Sequence, residues 1–119
     1  MPRAVDGTRR KNRRKKITSQ TKGYWGRRKN AFRTAKDALA KSLEYAYRDR
    51  KARKRDFRRL WITRISAACR AEGMTYSRLM EGLRKAEVQV DRKTLSNLAI
   101  EDRSAFNQLV STARSRLET

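Results

Sequence analysis

The sequence predicts an all-α protein: a disordered or extended basic N-terminal arm, one long helix, and a small C-terminal helical domain. Three observations carry this expectation. From Arg27 to Glu72 there is neither glycine nor proline, and Ala, Leu, Arg and Lys dominate, all good helix formers. Beyond Gly73, short apolar stripes at spacings of three and four each follow a residue able to cap a helix. The charge is also unevenly spread. Residues 1–60 hold 23 basic and 5 acidic side chains and residues 61–119 hold 10 and 7, so a net +21 divides into +18 and +3.

The arm comes first. Residues 1–16 carry eight basic residues and almost nothing apolar, with Pro2 and Gly7 as helix breakers. Such a segment cannot bury enough surface to offset its ordering entropy, so no regular structure is expected before residue 17 and at most a helical turn over 17–22. Gly23-Tyr24-Trp25-Gly26 then sets two aromatics between glycines, which predicts a bend. The arm with its bend is assigned to 1–26.

The long helix is assigned to 27–72, about 67 Å if straight. Its apolar stripe runs Phe32, Ala35, Leu39, Leu43, Ala46, Tyr47, fails over 48–56 where only Ala52 is apolar, and resumes at Phe57, Leu60, Trp61, Ile65, Ala68 and Cys69. A stretch without an apolar face cannot pack on a protein core; it is solvated or lies against negative charge. Gly73 is placed to end the helix as a left-handed C′ residue, with Met74 closing back on Cys69. Thr75, Asp91 and Asp102 are read as N-caps of three further helices, the first over 76–87, and Val88-Gln89-Val90 as an extended link. Their stripes (Leu79, Leu83; Leu95, Leu98; Phe106, Leu109, Val110, Ala113) would close on Trp61 and Ile65. The domain 73–119, packed with 57–72, is near the lower size limit for a stable core.

Composition excludes several functions. The chain has one cysteine and no histidine, so it lacks an ordinary zinc site, a disulfide within the chain, and the usual general base or nucleophile pairs. No metal, cofactor or catalytic residue is assigned, and the chain is not expected to be an enzyme. Cys69 reads as a core thiol. No window reaches 18 apolar residues, and the start of the chain lacks the apolar run of a secretory signal. A membrane-active cationic helix needs a continuous apolar face, which 48–56 lacks.

Charge of nearly one sign at this density repels itself and points to a polyanion, here a nucleic acid. The candidate contacts in the arm are Arg3, Arg9, Arg10, Lys11, Arg13, Arg14, Lys15, Lys16 and Lys22. Tyr24 and Trp25 could stack on bases, and Arg27, Arg28, Lys29 and Arg33 follow. Arg48, Arg50, Lys51, Arg53, Lys54, Arg55, Arg58 and Arg59 point charge in every direction around the helix, which suits a helix threaded between RNA strands better than one lying in a single DNA groove. Asp49 and Asp56, set to pair with Arg53 and Arg59, cannot balance that run. Arg84, Lys85, Arg92 and Lys93 flank one interhelical link and form a smaller candidate RNA face.

Several stretches resemble one family, the bacterial-type large-subunit ribosomal protein number twenty. They are RRKKI at 13–17, KGYWGRRKN at 22–30, YAYRDRKARKRDFRRLWITRI at 45–65, GMTYSRLMEGLRKA at 73–86 and DRKTLSNLAI at 91–100. The resemblance implies an arm and long helix buried in large-subunit ribosomal RNA, with Arg48, Arg50, Arg53, Lys54, Arg55, Arg58 and Arg59 along the RNA. It also implies a helical C-terminal domain, a role in early subunit assembly and a place in the cytoplasmic ribosome or its organellar counterpart. Large-subunit protein number twenty-one is the neighbour it implies, and in some members the C-terminal domain represses translation of its own messenger. No homo-oligomer is expected. The alternative from the residues alone is a general nucleic-acid compaction protein.

Overall fold

A computed structural model describes residues 7–118 of the chain. All regular structure among them is helical: α1 (Gly7–Gln20), a single 3₁₀ turn (Gly26–Lys29), α2 (Phe32–Ala71), α3 (Tyr76–Lys85), α4 (Arg92–Glu101) and α5 (Arg103–Leu117). The chain forms two compact units, one ending at Lys51 and one beginning at Ala52, so the boundary falls within α2.

In the first unit, residues expected to lack regular structure form a helix. α1 starts at Gly7 and runs through Arg9–Lys16 without a break. Arg, Lys and Gln are good helix formers, and this intrinsic preference holds the helix, because no α1 residue is buried. Pro2 and Arg3, with the rest of 1–6, lie outside the described residues. The glycine bend takes the expected form: Gly23 and Gly26 have φ of 84° and 62°, a region glycine enters without steric cost. A 3₁₀ turn occupies 26–29, so α2 begins at Phe32 rather than at Arg27. Thr21 is fully buried, and its hydroxyl lies 3.2 Å from the Thr18 carbonyl and 3.2 Å from the Lys29 carbonyl, tying the end of α1 to the 3₁₀ turn. Ala35 is the buried apolar residue of this unit.

In the second unit, the core is Ile65, Ala68, Cys69, Met74, Leu79, Leu83, Leu95, Phe106, Val110 and Ala113. The apolar stripe of α2 enters it only from Ile65 onward. Phe57 and Leu60 are 49% and 40% exposed, and Trp61 is half-buried and leans on Phe57 with ring centroids 6.3 Å apart. α3 packs chiefly on α5 and not along α2, which leaves these earlier turns of α2 exposed.

The expected caps are all present. Met74 N–H donates to the Cys69 carbonyl at 3.0 Å and Gly73 N–H to the Arg70 carbonyl at 3.1 Å, with Gly73 at φ 70°. Thr75, Asp91 and Asp102 accept from the amides of Arg78, Thr94 and Ala105 at 3.4, 3.2 and 3.0 Å. α3 ends at Lys85, two residues early, because Glu87 turns left-handed at φ 57° and closes a second motif of the same kind: Val88 N–H donates to the Leu83 carbonyl at 3.0 Å. Cys69 is fully buried, and burial pushes its thiol up to about 11, so it stays protonated in the core.

Gly82 sets how closely α3 and α5 approach. A Cβ there would stand 2.7 Å from the Ala113 Cβ and closer still to the Ala113 carbonyl oxygen. Gly82→Ala is expected to cost about 1–3 kcal/mol and lower the melting temperature by roughly 5 °C or more. Ser96 gives a control of opposite sign. Its buried hydroxyl has no hydrogen-bond partner among the described residues, so Ser96→Ala should leave the melting temperature unchanged or raise it. Thermal melts of both variants check this pair.

The capping carboxylates also make stability depend on pH. Hydrogen bonds from Thr94, chiefly its side chain, hold the Asp91 carboxyl below its ordinary value. The Ser104 hydroxyl, 2.7 Å away, and then the Ala105 amide do the same for Asp102. A depressed carboxyl stabilises the fold above its unfolded pKa and loses that contribution as pH falls through the native value. The melting temperature should therefore drop on acidification below about pH 4. Asp91→Asn with Asp102→Asn should cap nearly as well at neutral pH yet flatten the acid limb of the curve.

Candidate nucleic-acid interface

Within the first unit, α1 presents Arg9, Arg10, Lys11, Arg13, Arg14, Lys15 and Lys16 with no acid among its residues. All seven are exposed. Helical spacing puts like charges at i,i+3 and i,i+4 (Arg9 with Arg13, Arg10 with Arg14, Lys11 with Lys15), each pair costing about 0.2–0.5 kcal/mol. Arg14 is the residue that gains a partner, its guanidinium 5.5 Å from the Phe32 ring centroid. Lys22, Arg27, Arg28, Lys29 and Arg33 are exposed around the bend and the start of α2.

The two aromatics of the bend part ways. Tyr24 is half-buried and donates its hydroxyl to Ser42 Oγ at 2.8 Å, so it packs the bend on α2. Trp25 is 87% exposed. It lines a groove with Tyr24, Arg28, Asp37, Lys41 and Tyr45. Asp37, Lys41 and Tyr45 were not among the sequence candidates. A signal for two of them was present: Lys41 and Tyr45 are four apart and Tyr45 and Arg48 three apart, which places both cations on one ring. They sit 5.2 and 4.6 Å from its centroid. Lys51 repeats the device on Tyr47, at 4.3 Å from the ring centroid and donating to its hydroxyl at 2.7 Å.

The ion pairs leave most of the basic run of α2 unbalanced. Asp49 pairs with its neighbour Arg48 at 3.0 Å, not with Arg53 as expected, because the adjacent guanidinium reaches it first. Asp56 pairs with Arg59 at 3.7 Å. Both pairs are solvent-exposed and so worth little. In the first unit Arg50 has no ion pair, and in the second unit neither do Arg53, Lys54, Arg55 and Arg58, among the described residues. At about 100° per residue, 53, 54, 55, 58 and 59 cover most of the helix circumference. No acid among the described residues neutralises that ring of charge beyond the weak pair at Asp56.

The smaller cluster is only partly available. Arg92 is half-buried and donates its Nε to the Tyr76 hydroxyl at 2.8 Å, and Lys85 pairs with Glu81 at 3.3 Å. Arg84 and Lys93 are exposed without an ion pair among the described residues. Among the described residues no group of His, Cys, Asp and Glu could hold a metal ion, and no helix is long and apolar enough to cross a membrane.

The fold and surface thus define a class: an all-α basic protein whose long helix carries exposed cations around most of its circumference. Similarity to known proteins narrows that class to one family. A sequence model of the family described as ribosomal protein L20 matches residues 3–109, and the chain belongs to that family, which is structural and not enzymatic. The chain is 54% identical to the large ribosomal subunit protein bL20 of Carboxydothermus hydrogenoformans, over 98% of this chain and 100% of the relative. It is 57% identical to the bL20 protein of Borrelia garinii subsp. bavariensis over 92% and 96%, and 51% identical to that of Staphylococcus carnosus over 99% and 100%.

Repulsion along α1 generates a direct prediction. With no buried residue to offset like-charge pairs, α1 should gain helix content as salt screens them. Circular dichroism of the full chain should show the helical signal rising from low to near-physiological salt. A signal that is flat or falls with salt would mean that like-charge repulsion does not limit α1.

Proposed function

We propose that this chain is a structural constituent of the large subunit of the cytoplasmic ribosome, where it binds ribosomal RNA and assists early subunit assembly. The observation that carries this reading is the uncompensated charge around α2. Arg50, Arg53, Lys54, Arg55 and Arg58 are exposed and without ion pairs among the described residues, the first four on the stretch 48–56 that has no apolar face to bury. Family membership supports it, since the relatives are named as large ribosomal subunit proteins. The mechanism is charge neutralisation. Phosphate backbones repel one another, and a helix cationic around most of its circumference lets more than one approach at once. Arginine suits this task, because its planar fork makes bidentate phosphate contacts and stacks on bases.

In this reading 1–26, with α1, threads into the RNA, 27–72 neutralises it, and 73–119 with 57–72 makes a separate contact. Arg84 and Lys93 supply a second, smaller RNA contact, the surface through which the chain would also bind its own messenger. Large-subunit protein number twenty-one is the proposed protein neighbour.

Co-sedimentation tests the reading. The protein should comigrate with large subunits and resist a high-salt wash, and ready loss in the wash contradicts intimate threading. General nucleic-acid compaction is separated by competition: retention on ribosomal RNA against excess duplex DNA rejects it, and equal affinity favours it. Arg53→Ala with Arg58→Ala should reduce the slope of log affinity against log salt by about 0.7–0.9 for each phosphate left without its cation. An unchanged slope removes those two residues from the interface.

A further inference from the structure

We propose that the groove beside Trp25 seats one unpaired guanine, stacked on the indole and held through its Watson–Crick edge by the Asp37 carboxylate. This rests on the RNA-binding reading and adds to it a base identity.

The indole of Trp25 is 87% exposed, on extended backbone between two glycines at positive φ. Its neighbour Tyr24 is the residue that secures the bend, through Ser42, so the fold does not need Trp25 for packing. A large flat apolar ring left in water beside a groove is a stacking platform, and every base has a face to offer it.

Asp37 supplies the selectivity. It lines the same groove and is exposed, and it makes no ion pair among the described residues. The other acids of the described first unit are engaged: Glu44 with Lys41 at 2.9 Å and Asp49 with Arg48 at 3.0 Å. A bare carboxylate on a surface built for phosphate repels the backbone, so it favours a ligand that presents donors. An ionised carboxylate is acceptor-only, with two oxygens side by side. Guanine is the base whose Watson–Crick edge carries two adjacent donors, N1–H and N2–H, matching both oxygens at once. Adenine and cytosine offer one amino group there and uracil one imide N–H. The edge is free only when the base is unpaired, the state in which proteins read RNA bases. Arg28 lines the same groove, exposed and without an ion pair among the described residues, and is the cation available to the phosphate of that nucleotide.

The test uses the full chain and five short RNA hairpins, one fully paired and four with a single bulged G, A, C or U, at near-physiological salt. The bulged-G hairpin should bind about tenfold tighter than the other four. Trp25→Ala and Asp37→Asn should each erase that preference, and Trp25→Phe should keep most of it. Asp37→Asn separates base recognition from bulk charge: it raises net charge, so electrostatics alone predicts tighter binding to all five hairpins with the ranking unchanged. Equal binding of the five by the wild-type chain overturns the proposal, as does a guanine preference that survives Asp37→Asn. Failure to bind any hairpin with salt dependence overturns the RNA-binding reading itself, a different result from binding without preference.

Discussion

Uncompensated positive charge is the constraint on which the rest of this molecule depends. A helix can be built from arginine and lysine, since both are good helix formers, but it cannot neutralise itself. In α1 there is no acid at all, and the two acids of the basic run in α2 are held by Arg48 and Arg59 in exposed, weak pairs. The partner that satisfies these cations has to come from outside the chain. The groups that hold the fold lie elsewhere: a bend tied by Thr21 and Tyr24, and an apolar core beginning at Ile65.

The two units solve the problem of small size differently. The second has an ordinary core around Phe106, Leu79 and Leu95, closed by caps at Thr75, Asp91 and Asp102 and by two left-handed helix ends. The first has few buried groups; Arg14 on Phe32 and the polar ties of Thr21 and Tyr24 join its elements, while Lys41 and Arg48 on Tyr45 and Lys51 on Tyr47 brace α2 from within. Such contacts contribute roughly 0.5–1 kcal/mol each when exposed, enough to bias a conformation but not to fix it against a strong ligand.

What the sequence discloses follows from the range of the interactions involved. Caps are local, so Gly73, Thr75, Asp91 and Asp102 could be assigned from a few residues around each. The basic surface could be assigned because charge density does not depend on folding. Three features needed partners distant in sequence. Gly82 matters only because Ala113 faces it, and Phe57 and Leu60 share the stripe of Ile65 but stay exposed because α3 packs on α5. The groove at Trp25 draws on Asp37, a residue that in sequence is one acid among many cations. α1 is a different case: repulsion and low apolar content argued for an irregular arm, and intrinsic helix preference outweighs them. Glu87 at φ 57° occupies a position where glycine is the usual occupant, so composition gave no warning of it.

The buried thiol of Cys69 has one more consequence. The chain has no histidine, the side chain that most often changes charge near neutral pH, and burial pushes its one thiol up to about 11. Neither of the two side-chain types best suited to sensing pH near neutrality is therefore available to this protein as a switch. Under the proposed function, binding to a polyanion is governed by ions more than by protons: magnesium, polyamines and salt compete with it directly.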